Sequence, residues 1–268
     1  DGQSLRTYRH APNAGPRKSW AAGDATSRAV RLSMITLSGE MGYPGVLSAP
    51  VWGFEDVLFN SEKLSLPQPF GSYVMENILF KISFPAEFHA QTAVEAAVTL
   101  HPEVKDRLDD IESVNIATHE SAIRIISKVG DLNNPADRDH CLQYMVAIGL
   151  LKGDLIAEDY EDDVASDPRV DALREKMVIS EDSRYSTEYH EADKRSIANK
   201  IQIHFKDGSS TDAIEVEYPI GHMRRREEGI PVLEQKFLKN LQITYDATKS
   251  NKIYSLCTNQ EELENTSV

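Results

Sequence analysis

Three side chains that handle protons and anions lie close together in ILFKISFPAEFHAQTAVEAA (Ile78–Ala97): Lys81, Glu87 and His89. Lys81 interrupts an apolar run of Ile78, Leu79, Phe80, Ile82 and Phe84, and Pro85 breaks the segment. A cation inside an apolar run costs free energy unless an anion meets it. The competing reading is an amphipathic lysine whose stem packs while its ammonium reaches water. This segment alone favours the second reading. A carboxylate and an imidazole beside an ammonium are the groups that proton transfer next to a bound anion would use.

Further candidates are scattered along the chain. Arg17 and Lys18 stand where a loop meets a helix, so the helix N-terminus would add partial positive charge to theirs; on their own they read as surface charge. His140 and Tyr144 are four residues apart in LNNPADRDHCLQYMVAI, which puts them on one face if the segment is a single helix. Tyr144 would share that face with Cys141 and Ile148, so a core tyrosine with a bonded hydroxyl is the alternative. Arg138 precedes them. Arg224–Arg226 is either a carboxylate clamp or a solvated charge run. The histidines are never closer than about a dozen residues, so no helical i, i+4 metal pair exists. There is no phosphate-cradling glycine motif, no G-x-S-x-G and no C-x-x-C.

Local patterns supply the elements that would carry these residues. Residues 1–16 read as an extended loop, and a helix follows from about Lys18 to Gly39, with small residues at Ala21, Ala22, Gly23, Ala25 and Ala29. Residues 42–70 are rich in Pro and Gly, with a short helix over Val51–Phe59. Thr92–Leu100 is helical. Ser113–Thr118 alternates like a strand, with Val114 and Ile116 on one face. Asn134 as N-cap, Pro135 at the first helical position and Gly153 at the far end define a helix over Pro135–Lys152. Asp167–Met177 is another. Ile201, Ile203 and Phe205, the turn at Lys206–Ser209 and then Ala213–Tyr218 make a β-hairpin. Glu227–Leu241 is an amphipathic helix.

Composition narrows the partners. The net charge is −14, which disfavours nucleic acid and anionic membranes. Asp154–Lys194 carries 14 acidic residues against five basic, whereas residues 1–38 carry six basic and two acidic. A polyanionic ligand would favour the basic part; the acidic run also reads simply as a solvated surface. No run of 18 apolar residues is present. Cys141 and Cys257 are far apart, which gives no disulfide framework. Two separated cysteines also do not hold an iron–sulfur cluster by themselves.

Several long blocks resemble the MmgE/PrpD family in their order: RKSWAAGDATSRAVRL (Arg17–Leu32), GEMGYP and SAPVWGF (Gly39–Phe54), FGSYVMEN (Phe70–Asn77), LNNPADRDHCLQYMVAI (Leu132–Ile148) and VEYPIGHMRRR (Val216–Arg226). The resemblance runs from Asp1 to about Leu241, matches the later part of the longer family proteins, and fades over the last 27 residues. It implies an α+β protein in three parts: the remainder of an all-helical domain (1–79), an inserted α/β lid (80–222), and a C-terminal segment that returns to the helical domain (223–268). It implies a lyase dehydrating a small tricarboxylate, 2-methylcitrate, in propionate breakdown, with citrate dehydration, cis-aconitate decarboxylation or a silent structural role as alternatives. No metal, cluster or other cofactor is implied, nor a nucleic acid or membrane partner. A homodimer is implied, in the mitochondrial matrix of a eukaryote or the cytoplasm of a bacterium. Carried onto this sequence, the family match places Lys18, Lys81 and Tyr144 among the catalytic residues; related decarboxylases have a histidine in the Lys81 loop at slightly different spacing, and His89 is taken as a fourth. Arg17, Arg138, His140 and Glu87, which lie beside these residues in the sequence, are taken as substrate-binding. Lys18 is expected on one wall of a cleft, with Lys81 and Tyr144 on the other.

Overall fold

The fold is α+β, built on a four-stranded sheet whose strand order places a parallel pair beside an antiparallel hairpin. A computed structural model describes residues 17–66 and 78–267, with side chains from Trp20 onward. They fall into two compact units, one within Pro16–Asn77 and one taking in Ile78–Val268.

The first unit holds α1 (Arg17–Leu37) and α2 (Phe54–Leu58). Thus α1 matches the helix expected from Lys18, and α2 the core of that expected over Val51–Phe59. The Arg17 and Lys18 side chains and the block Phe70–Asn77 lie outside the described residues.

The second unit begins with α3 (Gln91–Val104), β1 (Ile111–Thr118), α4 (Glu120–Ile126), α5 (Pro135–Arg138), α6 (Leu142–Lys152), α7 (Asp162–Ala165), α8 (Pro168–Glu175) and β2 (Met177–Glu181). It continues with α9 (Ser183–His190), β3 (Asn199–Phe205), β4 (Ile214–Val216), α10 (Arg226–Gln242), α11 (Ala247–Cys257) and α12 (Gln260–Glu264). The sheet order is β2-β1-β3-β4. β1 pairs parallel with β2 (Val114 opposite Met177) and antiparallel with β3 (Ile116 opposite Ile201). A register shift between Ile111 and Ser113 puts Ile111 and Val114, three apart, both inside, as a bulge does. Ile201, Ile203 and Phe205 are buried as their alternation predicts, and the hairpin to β4 forms.

The core lies between this sheet and α3 and α6. Small residues Ala93, Ala96 and Ala97 on α3 let α6 approach; a Cβ added at Gly149 of α6 would stand 3.0 Å from the Ala97 methyl. α6 is buried from Leu142 to Leu150, the pattern of a helix covered on all sides.

The single helix expected over Pro135–Lys152 is a correction. Asn134 does cap it and Gly153 does end it in the left-handed region, but the chain leaves helical geometry at Asp139–Cys141. The cause is conflicting anchorage. Asp137 is buried against Asn134 and Lys128, Arg138 against Tyr160 and Asp162, while α6 must lie flat on α3. His140 therefore sits in the break, not on a helix face with Tyr144. A second correction concerns Met177, which opens β2 instead of closing a helix.

Gly221 ties the segment bearing Lys81 to the turn before α10. Its carbonyl accepts Phe80 N–H at 3.2 Å, its φ is +90°, and a Cβ there would lie 2.1 Å from the Phe80 oxygen. Gly208 has a similar φ, +84°, with open space around it. Gly208→Ala should therefore cost about 1 kcal/mol of backbone strain, and Gly221→Ala about 3 kcal/mol or more because overpacking adds to it. Urea midpoints at constant m measure both; equal losses would contradict this packing.

Candidate functional site

His89 is held from three directions. Its backbone N–H donates to Glu87 Oε2 at 2.7 Å, and its ring Nδ1 lies 3.0 Å from both Glu87 oxygens. Glu87 thereby caps a 3-10 turn at Phe88–Ala90 that runs directly into α3. The His89 carbonyl accepts from Asn199 Nδ2 at 2.9 Å, and the same nitrogen donates to Thr92 Oγ1, so the start of β3 fixes the backbone. Pro85 keeps the chain out of helix just before this point.

Lys81 joins through the carbonyl of Ala86, which accepts from Lys81 Nζ at 3.0 Å and from Gln91 Nε2 at 2.8 Å. The ammonium thus sits at the residue preceding Glu87, with its side chain exposed. Of the expected residues, the fold brings Lys81, Glu87 and His89 together.

On its other edge, His89 Nε2 lies 3.3 Å from the Tyr189 hydroxyl. The Tyr189 ring stacks on His119, with centroids 4.6 Å apart and planes 11° from parallel; His119 is 5.2 Å from His89. His119 follows β1 and caps α4, its Nδ1 accepting Ala122 N–H at 3.3 Å. Tyr189 comes from α9, which follows β2. The cluster therefore gathers at the carboxyl ends of the two parallel strands, where open α/β sheets place ligands.

The electrostatics follow from burial and neighbours. Burial pushes the Glu87 carboxyl up, but hydrogen bonds and charge from His89, with a contribution from His140, outweigh it and leave the group below the usual range. Burial, with the charges of His89 and His190 and against that of Glu87, pushes His119 down to about 4. A carboxylate facing Nδ1–H and a hydroxyl facing Nε2 satisfy His89 in either protonation state.

His140 lies near enough to act on the Glu87 charge, whereas Arg138 and Tyr144 are placed otherwise. His140 is buried, its Nδ1 2.8 Å from Asp139. Arg138 is buried, donating to the Tyr160 carbonyl at 2.6 Å and pairing with Asp162 at 2.7 Å. The Tyr144 hydroxyl donates to the Asp159 carbonyl at 2.5 Å; burial, aided by Asp159 and opposed by Arg138, pushes it up to about 12. Arg138 and Tyr144 line a cavity of about 240 Å³ with Asp162 and Arg174. Tyr160 links that cavity to the segment just before the Glu87–His89 dyad: its ring stacks 6.1 Å from Tyr144 and its hydroxyl donates to Pro85 O. Arg225 pairs with Glu95 and Glu228, and Arg226 covers the Phe80 ring, so these arginines serve packing.

His119 and Tyr189 were not among the expected site residues. Tyr189 falls in the acidic stretch read as solvated surface; Tyr185 one turn earlier, fully buried, is the sign of an inward helix face. Among the described residues, no three His, Cys, Asp or Glu side chains are grouped to hold a metal ion, and no helix is long and apolar enough to cross a membrane.

Residues 84–261 match the MmgE/PrpD C-terminal domain, and residues 1–67 match the MmgE/PrpD N-terminal domain. The chain belongs to the MmgE/PrpD family. The 2-methylcitrate dehydratase of Escherichia coli (strain K12) is 59% identical over 267 residues, 98% of this chain and 55% of that protein. The mitochondrial 2-methylcitrate dehydratase of Yarrowia lipolytica is 60% identical over 256 residues, 94% of this chain and 49% of its own. A 2-methylcitrate dehydratase-like protein of Aspergillus oryzae is 44% identical over 260 residues, 94% of this chain and 52% of its own. The chain thus spans about half the length of the curated relatives it matches.

The depressed His119 makes a thermodynamic prediction. Between pH 6.5 and about 4 the unfolded histidine binds a proton that the folded one refuses. Stability is therefore lost as pH falls through that window and levels off below it, by about 3 kcal/mol. Glu87 and His222, both depressed, add losses in the same direction. The His119→Asn variant, which keeps a capping side chain, isolates the effect. The wild-type advantage measured by urea unfolding should shrink by about 3 kcal/mol from pH 7 to pH 4; parallel profiles would contradict it.

Proposed function

We propose that this chain forms part of a lyase that dehydrates 2-methylcitrate to 2-methyl-cis-aconitate and water in propionate catabolism, without a cluster. The observation that carries this reading is the Lys81–Glu87–His89 constellation in a chain 59% identical to a protein of that named activity. The reaction needs a base for the proton α to a carboxylate, cations for the enolate-like dianion, and an acid for the departing hydroxyl. His89 is suited to the proton, since Glu87 stabilises the imidazolium that forms. Lys81, joined by Lys18, supplies cationic charge, and Arg17 and His140 bind carboxylates. Tyr144 is the candidate acid, on condition that its hydroxyl leaves the Asp159 carbonyl. Arg138, gripped by Asp162 and Tyr160, acts on substrate only through a rearrangement of that pair.

In the same reading, residues 1–79 belong to a helical domain, 80–222 to a lid and 223–268 to a returning segment. The family model boundaries, at 67 and 84, support the first division. The working protein is a homodimer, in the bacterial cytoplasm or the mitochondrial matrix.

Assay of the complete protein with 2-methylcitrate and citrate, with and without chelator, tests this directly. Turnover of 2-methylcitrate should be preferred and insensitive to chelator; preference for citrate, or activity restored only by iron, would overturn it. Lys81→Ala should lower kcat/KM by about 10²-fold or more, about 2.7 kcal/mol of transition-state stabilisation. A few-fold change would make Lys81 a packing residue. Tyr144→Phe should depress kcat if the hydroxyl is the acid; loss of thermal stability alone would restrict Tyr144 to the core.

A further inference from the structure

Two imidazoles stand 5.2 Å apart in this site, yet their surroundings differ. His89 faces the carboxylate of Glu87 and the hydroxyl of Tyr189. His119 is fully buried and its Nδ1 accepts a backbone N–H from the first turn of α4. An acceptor nitrogen carries no hydrogen, so the proton of neutral His119 resides on Nε2. That Nε2 has no hydrogen-bond partner among the described residues. Protonating the ring would place a hydrogen on Nδ1 against the Ala122 N–H, which would keep only its bond to the His119 carbonyl at 3.0 Å, and would set a cation beside His89.

The stack is held in register from behind. Ser186 on α9 accepts the Glu120 N–H at 2.8 Å and donates to Glu181 Oε1 at 2.6 Å, and Asp182 N–H donates to the Thr118 carbonyl at 2.8 Å. These bonds clasp the start of α9, which carries Tyr189, to the start of α4, which His119 caps. The groups facing His119 are His89 and Glu87 from the turn before α3, and Tyr189 and His190 from α9.

We propose that His119 is a positioning residue for His89: a neutral imidazole fixed in one tautomer by α4, which stacks Tyr189 so that its hydroxyl meets His89 Nε2. Two adjacent histidines are thereby given separate duties. His119 cannot compete for the proton, and His89 alone exchanges it, aligned by Glu87 at one nitrogen and Tyr189 at the other. Environments that drive paired titratable groups apart assign the roles in this way. The catalytic consequence rests on the lyase reading; the tautomer and the alignment do not.

The test uses the complete protein with ¹⁵N-labelled histidine. Long-range ¹H–¹⁵N spectra from about pH 5.5 to 8 should show His119 as the Nε2–H tautomer throughout, without titration. An Nδ1–H tautomer, or titration in that range, overturns the proposal. In His119→Asn, which keeps the cap, and in Tyr189→Phe, the His89 ring signals should shift alike; His89 signals in His119→Asn that match wild type also overturn it. With 2-methylcitrate, each variant should lose about tenfold in kcat with KM within about threefold, and the double variant should lose little more, since the two act as a unit. Unchanged kcat, or additive losses, count against the proposal. A wild-type protein that turns over neither tricarboxylate removes the lyase reading, while the spectra still decide the role of His119.

Discussion

The contact on which this site depends is the grip of Glu87 on His89. One carboxylate takes both the backbone N–H and the ring Nδ1 of a residue two positions later. This closes the 3-10 turn, sets the entry angle of α3 and fixes which imidazole nitrogen carries hydrogen. Burying the carboxylate costs solvation, and charge-assisted hydrogen bonds to His89 compensate for it. Because α3 is also the helix against which α6 and the sheet pack, the geometry of the dyad and the integrity of the core are mechanically coupled.

The sheet provides the second half of the site. A parallel pair delivers two chain ends to one edge, so His119 after β1 and α9 after β2 arrive side by side. The antiparallel hairpin contributes differently: Asn199 at the beginning of β3 holds the His89 carbonyl and Thr92. The short mixed sheet thus positions His89 at its backbone and its Nε2 edge, while Glu87 holds the Nδ1 edge from the turn before α3. Lys81 reaches the same place because Gly221 lets its segment lie against the turn before α10.

Much of this was legible in sequence because the signals were local. The Asn134 cap, the alternation at Ile201–Phe205, the Pro85 break and the proximity of Lys81, Glu87 and His89 need only neighbours along the chain. β2 and α9 were hidden because their residues lie in an acidic stretch whose composition suggests solvent. What makes Met177–Glu181 a strand is pairing with β1, a tertiary fact, and the inward face of α9 consists of Tyr185, Glu188 and the half-buried Tyr189, a pattern broken by an acidic residue. The break at Asp139–Cys141 was equally unreadable, since helix propensity favours continuity while Arg138 and α6 are anchored to different partners. The helices α11 and α12 follow from caps at Asp246 and Asn259; the family match, expected to fade after about Leu241, in fact extends to residue 261. Tyr189 and His119 join the site through contacts to His89 across about a hundred and about thirty residues respectively, distances over which no sequence pattern speaks.

The central claim is that Glu87 makes His89 the group that moves the proton. The direct measurement is steady-state dehydration of 2-methylcitrate by the complete protein carrying Glu87→Gln, a change that keeps an acceptor for the His89 N–H but removes the charge opposing the imidazolium. kcat should fall by about 10²-fold or more while KM stays within about threefold and the fold is retained. An unchanged kcat in a folded variant would contradict the account and move the proton-transferring group elsewhere.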